Sequence, residues 1–145
     1  FEACVSWHIL PCLRLDAEGE YLYARQLSGE KKGYSLPFST PWSGRAELRW
    51  LFPSASPGKA GYAAAEWQVV GRQNRIVPPE KPTDGHQLLN LSAGKNLLLS
   101  GHRLEIVLRC ENVLGTRYFD HTSYYRLIGV PEPGRNVSLM AVYSF

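Results

Sequence analysis

The chain has 145 residues, 44% hydrophobic, 12% aromatic and 20% charged, with a net charge of +3. That hydrophobic content excludes a disordered chain. The cations are scattered, so there is no basic stripe for nucleic acid, and no run of roughly eighteen apolar residues exists to cross a bilayer as a helix.

The elements follow in chain order, each read from alternation of period two. Phe1–Trp7 reads as a strand cut at its start. From Cys12 to Arg25, Leu13, Leu15, Ala17, Gly19, Tyr21 and Tyr23 share one face. Arg14, Asp16, Glu18, Glu20, Leu22 and Ala24 share the other. That run is longer than most soluble strands and suits a tilted membrane-crossing strand of about ten residues with interfacial ends. Arg45–Leu51 sets Ala46, Leu48 and Trp50 against Arg45, Glu47 and Arg49. Ala63–Arg72 sets Ala63, Ala65, Trp67 and Val69 against Glu66, Gln68, Val70 and Arg72. Gln87–Asn96 and Arg103–Asn112 repeat the pattern, and the final strand carries Val137, Leu139, Ala141, Tyr143 and Phe145 on one face. The sum is an all-β, antiparallel up-and-down meander of about seven strands with no convincing helix.

The connections alternate in length. Short links are expected near Ile9–Pro11, Pro53–Ala60 and Ser100–His102; long ones at Leu27–Gly44, Asn74–Gly85 and Val113–Arg135. Outer-membrane barrels sort their connections in this way, with tight periplasmic turns and long extracellular loops. Tyr21, Tyr23 and Trp67 fall toward the long-loop ends of their strands. Tyr143 and Phe145 fall at the short-turn end of the last, as interfacial aromatic girdles require.

Motifs for chemistry are scarce. Cys4, Cys12 and Cys110 have no metal or disulfide-framework spacing and read as small apolar side chains. His8, His86, His102 and His121 form no HExxH pattern. Ser56-Pro57-Gly58-Lys59 is a short turn and not a phosphate loop. Asp120-His121 has no nucleophile placed with it, and the sequons at Asn90 and Asn136 fall inside predicted strands. An enzyme is therefore the least supported reading, and no cofactor is implied. Phe1 follows no basic n-region or cleavage site, which for an exported protein places the true N-terminus elsewhere.

The last third carries a resemblance. Asn112-Val-Leu-Gly-Thr-Arg-Tyr118 resembles the segment after the penultimate strand of TonB-dependent outer-membrane receptors. Pro131-Glu-Pro-Gly134-Arg135-Asn136 resembles the segment that opens their last strand, and Phe145 resembles their terminal aromatic residue. Upstream, Leu36-Pro37-Phe38 to Pro41, Gln73-Asn74-Arg75 and Pro82-Thr83-Asp84-Gly85-His86 resemble family segments in the same order. Val113-Leu114-Gly115 departs from the family's usual Leu-Phe-Asn. The resemblance implies that residues 1–145 form the C-terminal part of a barrel of about twenty-two strands, a fragment lacking the N-terminal plug and the earlier strands.

The implied whole is a receptor in the outer membrane of a Gram-negative bacterium, taking up scarce siderophore, cobalamin, haem or oligosaccharide cargo. Its partners would be outer-membrane lipid, the missing strands and plug, the TonB complex through that plug region (the TonB box), small-molecule cargo, and the barrel-assembly machinery through the C-terminal strand. Tyr34, Phe38, Trp42, Arg75, Tyr118, Phe119, His121, Tyr124, Tyr125 and Arg126 are candidates to touch cargo, by stacking or by charge. The plainer alternative for them is loop packing. Pro131, Pro133 and Gly134 set a turn, and Asn112, Gly134, Arg135, Asn136 and Phe145 read as structural, with Arg135 and Asn136 tying a loop to the barrel rim. The competing readings are a soluble lipocalin-like barrel or sandwich and a passive porin.

Overall fold

The computed structural model describes residues 1–52, 60–99 and 101–145; the links expected at Pro53–Ala60 and Ser100–His102 fall partly outside these, and Ser56–Lys59 wholly so. Seven strands form one antiparallel sheet in chain order: β1 (Glu2–Leu10), β2 (Leu13–Glu20), β3 (Ser43–Phe52), β4 (Gly61–Val70), β5 (His86–Leu99), β6 (His102–Glu111) and β7 (Asn136–Ser144). Each strand pairs with its sequence neighbours and no connection crosses the sheet. The long loops are residues 21–42, 71–85 and 112–135, all at one end of the sheet; β1–β2 turns at Pro11 and Cys12 at the other.

Register explains why the sheet has two unlike faces. Leu15, Leu48, Ala65 and Leu91 stand in one transverse row, and Ala17, Ala46, Trp67 and Leu89 in the next. Trp50 and Phe52, with ring centroids 5.6 Å apart, and Tyr143 and Phe145, 6.4 Å apart, lie toward the short-turn end of that apolar side. The opposite face is banded. One row reads His8, Arg14, Arg49, Ala64, Ser92, Arg109, Ser138. The adjoining row, nearer the long loops, reads Ser6, Asp16, Glu47, Glu66, Asn90.

Like charges placed directly across a ladder repel, and pairing along the strands offsets this. Arg14 reaches Asp16 at 2.7 Å, Arg49 reaches Glu47 at 2.8 Å, and Arg109 lies 3.7 Å from Glu111. Arg45 bridges Glu18 at 2.9 Å and Glu66 at 3.1 Å across three strands. On the same face the Tyr62 ring lies where a Cβ on Gly94 would come within 2.3 Å of it, so a glycine is needed beneath it.

The described residues lack the interior of an ordinary domain. Among the described residues the buried hydrophobic side chains are Ala64, Val77 and Leu88, whereas Trp7, Trp50, Trp67, Leu108 and Leu139 are exposed. Buried polar groups, namely Gln73, Thr83, Asn112 and His121, sit among the long loops or at their edge.

Strand ends differ from those read in the sequence. β2 was expected to run to Arg25 but stops at Glu20, because its partner β3 begins at Ser43 opposite Glu20. Tyr21 and Tyr23 therefore belong to the first long loop, although the Tyr21 amide still donates to the Phe1 carbonyl at 2.8 Å. β6 stops before Asn112, whose φ of 48° is left-handed and incompatible with a strand. A short 3-10 helix, η1 (Tyr124–Ile128), occupies the third long loop, where no helix was read; it ends on Gly129 at φ 73°.

Candidate functional site

The three long loops interlock over one end of the sheet. The first closes on itself by an isolated bridge between Arg25 and Ser35, and the second by one between Gln73 and Thr83. Proline and glycine punctuation breaks the strands here, but long-range polar contacts hold the loops in place.

Gln73 is the most buried side chain of this region. Its Nε2 donates to the Ser39 carbonyl at 2.7 Å, and its Oε1 accepts from the Arg75 amide at 3.1 Å. Glu80 joins all three loops. Its carboxylate accepts from the Phe38 amide at 2.8 Å and the Val77 amide at 3.3 Å, and its Oε1 lies 3.9 Å from His121 Nε2. His121, only 3% exposed, is bound through Nδ1 to the Thr83 hydroxyl at 2.8 Å. Burial first, and Arg126 second, hold this imidazole below its ordinary pKa against the opposite pull of Glu80 and Asp120.

Thr83, His121 and Glu80 thus stand in the order hydroxyl, imidazole, carboxylate. The hydroxyl is buried, the carboxylate is occupied by backbone amides, and the last gap is too long for a hydrogen bond. That arrangement suits a packed junction.

The remaining candidates separate. Arg75, in the second loop, is held against the first: its guanidinium donates to the Tyr21 hydroxyl at 2.7 Å and lies over the Tyr21 and Tyr23 rings, 4.9 and 5.5 Å from their centroids. Trp42 covers Gly71, where a Cβ would meet its indole at 2.0 Å, and the Gly71 amide donates to its carbonyl. Tyr118 packs on His86 at 4.1 Å, and burial raises its phenol pKa. Tyr124 and Phe38 rings meet at 5.4 Å; Tyr124 and Tyr125 are exposed on η1, and Tyr34 is exposed in the first loop. Arg126 and Phe119 line a cavity between the second and third loops, beside Tyr118.

Asn112, Arg135 and Asn136 bind the third loop to its own root. The Asn112 side chain exchanges two hydrogen bonds with the Thr116 backbone, both 2.8 Å, while its amide donates to Asn90 Oδ1. Arg135 donates to the Val113 carbonyl at 2.8 Å and Asn136 to Glu111 at 3.2 Å. Gly134 has open space where a Cβ would stand. Phe145 is fully exposed past the end of β7.

Sequence reasoning missed Gln73, Glu80 and Thr83 as junction residues, and Lys81 and Arg117 as cavity residues. Their partners lie on other loops, so no local spacing announces them. Among the described residues no three His, Cys, Asp or Glu side chains are grouped to hold a metal ion.

No protein-family model matches the chain, and no curated protein is significantly similar to it. Among solved structures the chain superimposes on the copper transporter OprC with a TM-score of 0.78 and 21% identity, over 99% of this chain and 22% of that one. The chain therefore spans about a fifth of the length of the structure it matches, and its fold is that of a stretch of OprC.

Proposed function

We propose that the chain is a wall segment of an outer-membrane β-barrel receptor of the TonB-dependent kind, contributing three extracellular loops to cargo capture and no chemistry of its own. The observation that carries this reading is the inverted sheet: an apolar, aromatic-edged face on one side, a banded charged face on the other, and almost no hydrophobic interior among the described residues. In lipid the apolar face needs no protein cover and the charged face lines a lumen. The likeness in fold to a stretch of the copper transporter OprC supports a membrane-transport setting. The earlier strands and plug, TonB and the assembly machinery are the partners this role requires.

Sidedness tests the proposal. In the intact protein, with Cys4, Cys12 and Cys110 replaced by Ala, a Cys at Tyr124 in η1 is expected to react with a membrane-impermeant maleimide on whole cells. A Cys at Gly101, in the β5–β6 turn, reacts only after lysis. Labelling of both positions from outside, or recovery of the protein outside the outer-membrane fraction, rejects the reading.

A further inference from the structure

The cavity between the second and third loops has a volume of about 650 Å³, within the range of pockets that enclose small organic ligands. Its walls combine flat apolar groups, including Pro82, Tyr118 and Phe119, with five charged side chains: Glu80, Lys81, Asp84, Arg117 and Arg126. The two carboxylates are already engaged. Asp84 lies 3.3 Å from Arg72, and Glu80 accepts from the backbone amides described above. The three cations are not matched in this way. Lys81 and Arg117 are exposed and have no carboxylate partner among the described residues.

Arg126 is held by one contact, Nη1 donating to the Lys81 carbonyl at 2.9 Å. Its Nε and Nη2 are buried and have no hydrogen-bond partner among the described residues. These two nitrogens form the edge of a guanidinium that pairs side-on with a carboxylate. Leaving them unmade costs free energy in the empty state. Both are shut off from solvent, so a ligand meets them through rearrangement of the Arg126 side chain.

Resting on the receptor reading, we infer that this cavity takes a small organic anion: a flat apolar or aromatic body bearing carboxylates, seated against Tyr118 and Phe119 and paired with Arg126, Arg117 and Lys81. A neutral sugar leaves the same three cations unanswered and gains nothing from them. Electrostatic recognition of this kind weakens as salt rises.

The test is calorimetric titration of the intact receptor, purified in detergent, with trimellitate, inorganic phosphate and the neutral disaccharide maltose. Trimellitate is expected to bind, and a double variant, Lys81→Gln with Arg117→Gln, is expected to weaken it by about tenfold or more. Both side chains are exposed, so the variant keeps its fold; unchanged heat-modified mobility of the barrel verifies this. Arg126→Gln is expected to weaken trimellitate as well. Phosphate binding as tightly as trimellitate, with the same loss in the variant, overturns the aromatic part of the assignment. No trimellitate binding, binding indifferent to both variants, or charge-independent binding of maltose here overturns the site. Should any of these occur while Tyr124→Cys is still labelled from outside, the receptor reading survives and only the cavity assignment falls.

Discussion

At the scale of single residues, His121 ties the third loop to the second and brings a pH dependence to that contact. Its folded-state pKa lies below the ordinary value of 6.5 because burial and Arg126 outweigh Glu80 and Asp120. A depressed histidine favours the neutral form in the packed state. Its stabilising share is therefore fully present above the ordinary histidine pKa and is lost as pH falls below it, where the opened state takes up the proton first. The protection of residues 112–135 against amide exchange, corrected for the intrinsic rate, is expected to fall from neutral pH to about pH 5, and His121→Gln to reduce that dependence. Equal slopes for both proteins would remove His121 from the account. Asn112 acts differently: its left-handed backbone and three hydrogen bonds set where β6 ends, a contribution independent of pH.

At the scale of elements, the two sheet faces should respond oppositely to charge. Leu48 stands midway along β3 between Leu15 and Ala65 on the apolar side. Leu48→Arg is expected to destabilise the folded barrel by about 2–4 kcal/mol, as for a cation at the bilayer midplane. Ser92→Glu, opposite Arg109 on the banded face, is expected to change stability by less than about 0.5 kcal/mol. Denaturant unfolding of the intact protein in lipid vesicles reads both, and comparable losses at the two sites would contradict the assignment of faces. The alternation that defines these faces was legible in the sequence, because a period of two in Leu13–Glu20 or Gly61–Val70 is a local property. The end of β2 was not, since it depends on where β3 begins, and this depends on a loop folding elsewhere. The polar junction was hidden for the same reason. Nothing near Glu80 in the sequence shows that Phe38 and His121 will come to it.

At the scale of the whole molecule, a sheet with two open edges and a bare apolar face cannot be at rest in water. Residues 1–145 produced alone are expected to self-associate in aqueous buffer and to disperse once detergent covers Trp7, Trp50 and Trp67. Sedimentation with and without detergent measures this. A soluble domain of this size needs more interior than Ala64, Val77 and Leu88 provide, so a monodisperse species in plain buffer would contradict this and point to the soluble lipocalin-like alternative.

The charge bands bear on how the strands find their alignment. Sliding β2 by two residues along β3 keeps every side chain on its own face, yet sets Arg14 against Glu47 and Asp16 against Arg45, where the native ladder has Arg14 beside Arg49 and Asp16 beside Glu47. The slide breaks the native pair of Glu18 with Arg45 but gains two such pairs and removes two repulsions, so charge favours the wrong alignment, and the right one must be imposed by the tight turn at Pro11–Cys12 and by the interlocked loops at the far end. A chain that zips up from its turns escapes this trap; one that first collapses through its charges falls into it.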